Sequence, residues 1–238
     1  ARCALASRGT RTIHGGGVSE PVPHSPSTLD GRAQFVPGYA PMLQMCAQLI
    51  AEHAGEQADV LILGAGGGLE LQAFHARWPR WRFCAVDPTP NMLAEARERA
   101  AACGALDQVD WVEGVIGDAP NKMFDAATCL LTLHFVGEHE KPATLQGVRT
   151  RLKSGAPFLL VDLCADNAAP DYERRLSRHH RFATDSAAPA ELVDYVVGRV
   201  RTVLQTRSAA RNEAALLEAG FSDAELFFAG LSWRGWVA

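Results

Sequence analysis

Asp59-Val60-Leu61-Ile62-Leu63 runs without a break into Gly64-Ala65-Gly66-Gly67-Gly68. A short continuous apolar run stopped by glycine is what a strand buried on both faces looks like, and parallel strands are buried on both faces. Leu69 to Arg77 then reads as a helix ended by Pro79, so the glycines occupy a strand-to-helix turn. A chain carrying this unit has to cover its sheet with helices, which places it in the α/β class.

The alternation extends in both directions. Pro41 to Glu52 spaces Met42, Met45, Cys46 and Leu49 as an amphipathic helix. Trp81 to Val86 is a second strand, and Met92 to Cys103 an alanine-rich helix closed by Gly104. Val109 to Glu113 and Phe124 to Leu133 read as strands three and four, Ala143 to Lys153 as a helix, and Pro157 to Leu163 as strand five. Right-handed crossovers then give a parallel sheet with helices on both faces. From about 170 to 219 the pattern is helical, and two closely spaced strands, Ala224 to Ala229 and Ser232 to Val237, finish the chain.

Composition narrows the function classes. The 238 residues suit one domain, 31–238, behind an arm, 1–30, whose Gly15-Gly16-Gly17 and three prolines leave too little apolar periodicity to pack. No apolar run approaches the ~18–20 residues of a membrane span. The net charge of −4 argues against a chain built chiefly to hold nucleic-acid phosphates. The six cysteines form no CxxC pair and stand mostly in apolar surroundings, which suits a reducing, cytoplasmic compartment and offers no metal-ligand spacing. Lysine is confined to positions 122, 141 and 153, yet 171–211 holds eight arginines against five acidic residues, a local +3.

The glycine turn is where a ligand belongs, because glycine lets backbone and helix N-terminus approach it closely. Asp87 ends the second strand 19 residues after Gly68, in place to accept hydrogen bonds from both ribose hydroxyls of an adenosine moiety. A dinucleotide fingerprint wants a third glycine where Leu69 stands, and Glu70 would bring a carboxylate to the pyrophosphate. No Gly-Lys-Ser/Thr follows, which excludes a P-loop. The turn suits S-adenosylmethionine, a cationic cofactor without phosphate.

From about 40 to 165 the chain resembles the class I S-adenosylmethionine-dependent methyltransferases. The likeness is carried by the glycine turn, Val86-Asp87-Pro88 with Met92 downstream, Glu113 and Asp118, and Phe124-Asp125-Ala126 opening strand four. The family usually has an acidic residue two before the first glycine; here it is Ile62. The resemblance implies a Rossmann-like, seven-stranded, mostly parallel sheet with an antiparallel last strand and a helical cover, 167–205, over the substrate.

Within that family the chain is similar to the carboxy-S-adenosylmethionine synthase branch, which serves modification of tRNA wobble uridine. Val36-Pro37-Gly38-Tyr39, Leu131-Thr132-Leu133-His134-Phe135 and Ala219-Gly220-Phe221 with Glu225-Leu226-Phe227-Phe228 carry this closer likeness. It implies cofactor contacts at Tyr39, Gly64, Ala65, Gly66, Asp87, Pro88, Met92, Asp118, Ala119 and Leu130, where the branch is expected to have asparagine at the last position. It also implies an arginine for an extra carboxylate, with Arg199 and Arg201 in the right neighbourhood.

His134 follows strand four at the carboxyl edge of the sheet, where open α/β sheets bind ligands, and is the candidate general base. A histidine packed under the cover is its alternative reading. Asp118 either accepts from the adenine amino group or caps its own turn. His179 and His180 read as a solvated helix face, with contact to an anionic substrate as the alternative, and Trp233 and Trp236 read as core. The expected activity is methyl transfer to a small-molecule, anionic acceptor, in a chain that leaves room for a homodimer and is not a nucleic-acid binder. The alternatives are a carboxy-S-adenosylmethionine synthase-like enzyme and a non-catalytic nucleotide- or RNA-binding module.

Overall fold

A computed structural model describes residues 29–238, so the expected arm lies outside the described residues apart from its last two positions. Those two open a short helix, α1 (Leu29–Ala33), which leads into α2 (Tyr39–Ala54). The sheet and its helices follow as β1 (Asp59–Leu63), α3 (Leu69–Arg77), β2 (Arg82–Asp87), α4 (Pro90–Cys103) and β3 (Val109–Glu113). The second half runs β4 (Ala126–Leu130), α5 (Lys141–Arg149), β5 (Phe158–Leu163), α6 (Tyr172–Asp185), α7 (Ala190–Thr202), α8 (Ala209–Glu218), β6 (Glu225–Gly230) and β7 (Trp233–Val237).

The seven strands lie in the order β3-β2-β1-β4-β5-β7-β6. β1 to β5 pair in parallel, and β7 enters antiparallel between β5 and β6. The expected sheet, with its antiparallel last strand, is therefore the one observed. Chain order reverses between β1 and β4, which opens a crevice at their carboxyl ends.

Alternation along β1 divides the core. Val60 and Ile62 face the layer of α2 and α3 with Met42, Ile50 and Phe74, whereas Leu61 and Leu63 face the layer holding Leu145, Val148 and Leu216. Both faces are covered, which is why β1 and β5 show no polar alternation.

β4 ends sooner than the sequence suggests. Leu131 takes a left-handed φ of 56°, and Leu133–Phe135 closes into a single 3-10 turn. The apolar residues beyond Leu130 thus belong to the rim of the crevice rather than to a strand. Among the described residues, no helix is long and apolar enough to cross a membrane.

Candidate active site

Three glycines curl the turn after β1 into the left-handed region, with φ of 78° at Gly64, 47° at Gly66 and 77° at Gly68. A Cβ at Gly64 would run into the Thr132 side chain, and one at Gly68 would stand 3.0 Å from the Ala96 Cα of α4. The first glycine lets β4's exit cross the turn; the last lets α4 pack against the start of α3. Arg99 braces the turn from α4, its Nε donating to the Gly67 carbonyl at 2.6 Å.

Asp87 is locked onto this turn. Its Oδ2 accepts from the Gly66 amide at 2.9 Å and its Oδ1 from the Thr89 amide at 2.9 Å, with the residue 7% exposed. Each oxygen keeps an unused lone pair, so the carboxylate can still accept from two hydroxyls. Met92 lies over Gly66, its Cε 3.5 Å from where a Cβ would stand, and Pro88 is exposed beside it. Ala65, Ala119 and Leu130 are buried at the same edge. Asp118 caps its turn through Oδ2, which accepts from Val115 N at 2.9 Å, and remains exposed. Tyr39 packs into the core on the α2 side, and burial pushes its phenol up to about 12. A carboxylate fixed against a turn that itself holds neither lysine nor arginine fits a nucleoside cofactor without phosphates.

Glu70 departs from expectation. Its carboxyl is buried in the core, 6% exposed, and accepts from Thr128 Oγ1 at 2.5 Å. Burial raises its pKa to about 8, so near neutral pH it is uncharged and cannot repel a pyrophosphate. What weighs against a dinucleotide is Leu69, buried where that fingerprint needs glycine.

At the carboxyl edge of the sheet, beside Leu131 and His134 after β4, lies a cavity of about 220 Å³, roofed by α7 and closed by the segment around Phe35 and Val36. Its walls are mainly apolar, including Leu131, Phe135, Leu163, Leu192 and Trp233, with His134, Tyr195, Arg32 and Arg199 as the polar groups. His134 Nδ1 lies 2.6 Å from Asp162 Oδ1, which also accepts from the His134 amide at 3.1 Å. Asp162 is fully buried, and its Oδ2 accepts from Asn212 Nδ2 at 3.0 Å. The carboxylate assigns the proton to Nδ1 and leaves Nε2 as the acceptor. His134 is therefore packed under the cover and at the same time lines the cavity.

The sequence reading missed Asp162 and Asn212. One signal was present: Asp162 is the sole acid in Phe158-Leu159-Leu160-Val161-Asp162-Leu163, a strand otherwise apolar and buried throughout. An unpaired acid is not tolerated there.

The arginines divide. Arg199 lines the cavity, with Nη1 donating to the Tyr195 hydroxyl at 3.1 Å, and Arg32 lines it from α1. Arg201, expected beside Arg199, instead faces outward and pairs with Glu173 at 2.7 Å. Two residues along a helix turn the side chain to the opposite side. Most of the 171–211 surplus is likewise neutralised: Arg174 and Arg175 pair with Asp171, Arg181 with Asp185, Arg207 with Glu138 and Arg211 with Glu218.

The α7–α8 connector is strapped to the His134 turn. Gln205 N donates to the His134 carbonyl at 2.8 Å, Lys141 Nζ donates to the Gln205 carbonyl, and Arg207 Nε bonds Glu138 at 2.8 Å. Lys141 is fully buried, and desolvation lowers its pKa. His179 is not the solvated residue expected. It is half-buried beneath the β6–β7 hairpin and accepts from Ser232 N at 3.2 Å; burial lowers its pKa to about 4.

Comparison with known proteins agrees with this fold. Residues 61–158 match a methyltransferase domain family. The carboxy-S-adenosyl-L-methionine synthase of Salmonella typhimurium is 26% identical over 205 residues, covering 85% of this chain and 83% of that protein. Among solved structures, an O-methyltransferase family protein from Burkholderia thailandensis aligns with a TM-score of 0.59 at 16% identity over 83% of this chain. PigF, solved with SAH, aligns at 0.57 and 19% identity over 84% of it. The chain spans only 56% and 54% of those two proteins' lengths, so they speak for the fold.

Proposed function

We propose that this chain, a class I S-adenosylmethionine-dependent methyltransferase, passes a methyl group to a small anionic acceptor held in the cavity beneath α7. The observation that carries this reading is the His134–Asp162 pair, which lines an apolar cavity at the same sheet edge as the glycine turn. The cofactor, when bound, supplies an electrophilic methyl on a sulfonium that is already a good leaving group. Gly64, Ala65 and Gly66 would receive it, with Asp87 on the ribose hydroxyls, Asp118 and Ala119 at the adenine, and Tyr39, Pro88, Met92 and Leu130 closing around it.

This chain's own part is alignment and proton removal. The apolar walls exclude water and fix the acceptor, an effect that can supply several kcal/mol to an in-line displacement. A hydroxyl nucleophile has a proton to lose, and His134 Nε2 takes it while Asp162 stabilises the imidazolium that forms. Arg199 and Arg32 receive the acceptor's anionic group; neither has a carboxylate partner among the described residues. The buried free thiols Cys46, Cys84, Cys129 and Cys164 fit a cytoplasmic location, and the relatives compared are bacterial.

Isothermal titration with S-adenosylmethionine and S-adenosylhomocysteine tests the cofactor assignment. Binding of both, and S-adenosylhomocysteine release with a hydroxylated carboxylic acid, is expected. Tight NAD binding with neither of them bound overturns it. A second reading is favoured by the 26% identity spanning most of the Salmonella synthase. If prephenate and S-adenosylmethionine yield a carboxylated sulfonium by mass spectrometry, the chain makes a modified cofactor instead.

A further inference from the structure

Glu70 is a buried acid with no cationic partner among the described residues. It stands on the first turn of α3, two residues beyond Gly68, and among the described residues its carboxyl is hydrogen-bonded by Thr128 Oγ1 alone. Thr128 is the register partner of Ile62, so the carboxyl lies over the β1–β4 face immediately before the glycine turn. β1 itself ends in Ile62 and Leu63 and brings no charge to that spot. The groups that feel Glu70 are Tyr39 and Cys46 from α2 and Cys129 from β4, each held protonated by burial. None of them is a cation.

A buried carboxyl without a cation is costly to keep, and an aliphatic or amide side chain could hold α3 in place as well. Thr128 hydrogen-bonds the acid but does not neutralise it. The missing element is a positive charge arriving from outside, at the foot of the turn that receives the cofactor. S-adenosylmethionine carries two such charges, an ammonium and a sulfonium.

We propose that Glu70 is the counter-charge for the cationic amino-acid end of the cofactor, and that cofactor binding drives its proton into solvent. The carboxylic O–H bond breaks, the carboxylate stays in the core facing the incoming cation, and one proton passes to buffer. Thr128 then donates to the carboxylate, the direction in which its hydrogen bond is stronger. The low polarity that keeps the acid neutral beforehand strengthens its attraction to the cation afterwards. This inference rests on the cofactor assigned above.

Its signature is proton release. With a starting pKa of about 8, Glu70 is mostly protonated at pH 7. A cofactor coupling of about a hundredfold, two pKa units, releases about 0.8 proton at that pH and tightens binding about tenfold. Affinity should therefore climb as pH rises toward 8 and level off above it.

The experiment is calorimetric titration with S-adenosylmethionine and S-adenosylhomocysteine in two buffers of different ionisation heat. The wild-type protein should release close to one proton per site, and Glu70→Gln should bind about tenfold more weakly and release none. Binding without buffer dependence, or unchanged release in Glu70→Gln, overturns the proposal and leaves the cofactor assignment standing. Absence of binding by either ligand overturns both. Should Glu70→Gln not fold, infrared difference spectra of the wild type decide the matter: the protonated-carboxyl C=O stretch disappears on binding, and its persistence refutes the proposal.

Discussion

His134 Nδ1 lies 2.6 Å from Asp162 Oδ1, both side chains buried, with Asn212 holding the other carboxylate oxygen. Such a pair fixes both the tautomer and the direction of the imidazole. His134→Ala should lower kcat by about 10²–10⁴-fold while S-adenosylmethionine affinity stays unchanged. Asp162→Asn keeps the imidazole but loses its anchor, so kcat should fall with little change in KM. Imidazole nitrogen chemical shifts should report a single Nδ1–H tautomer in the wild type and a mixture in the variant. Full activity in His134→Ala would return this histidine to a packing role.

Asp87 ties its carboxylate to two amides of the cofactor turn. Asp87→Ala removes the ribose acceptor and loosens Gly66 together. Hydrogen bonds to a charged group contribute about 1.5–3 kcal/mol each, so cofactor affinity should drop at least about tenfold in calorimetry. Unchanged affinity would remove Asp87 from the ribose.

Arg199 faces the cavity and Arg201 faces Glu173. Arg199→Gln and Arg32→Gln should each raise KM for a carboxylated acceptor about tenfold. Arg201→Gln should leave KM unchanged, because it disrupts only an exposed ion pair. Equal effects at 199 and 201 would show that the cover, not the cavity, reads the charge.

Gly64 and Gly55 both have positive φ, 78° and 69°, but differ in surroundings. A Cβ at Gly64 collides with Thr132, while one at Gly55 meets nothing within 4 Å. Gly55 combines that φ with a ψ of −147°, a region open essentially to glycine, so Gly55→Ala should cost about 1–3 kcal/mol in denaturant unfolding from the backbone alone. Gly64→Ala should add the collision with Thr132 to its backbone cost, and should weaken cofactor binding where Gly55→Ala leaves it unchanged.

Glu70 also predicts a pH dependence for the ligand-free protein. Its folded pKa, about 8, lies above the ordinary carboxyl value of 4.5, so the folded state binds the proton more tightly. Its stabilising contribution is complete below about pH 4.5 and declines as the pH rises toward 8. Above that it is constant. Denaturation midpoints should fall over this window in the wild type and flatten in Glu70→Gln.

The alternation of apolar runs with helical periodicity was enough to place β1, β2, β3 and β5 within about a residue, because strand and helix periodicity are local properties of the chain. β4 was overextended for the same reason: Leu131 and Leu133 continue the apolar run, and only the left-handed φ at Leu131 ends the strand. The next residue, Thr132, packs against Gly64, 68 residues away in sequence, a contact that local pattern does not reveal.

The site divides along the same line. The glycine turn, Asp87 and the position of His134 at the sheet edge were legible, since each depends on where a strand ends. Asp162 became His134's partner, and Thr128 became Glu70's, across separations of 28 and 58 residues. The arginine surplus of 171–211 could be counted in the sequence, but its pairing could not. The sequence alone determined the α/β architecture and the edge on which a nucleoside cofactor would bind, because these follow from local pattern and chain direction. Tertiary packing decided which carboxyl is neutral, which histidine has an anchor and which arginines have no carboxylate partner among the described residues, because charge and desolvation depend on neighbours that only the fold brings together.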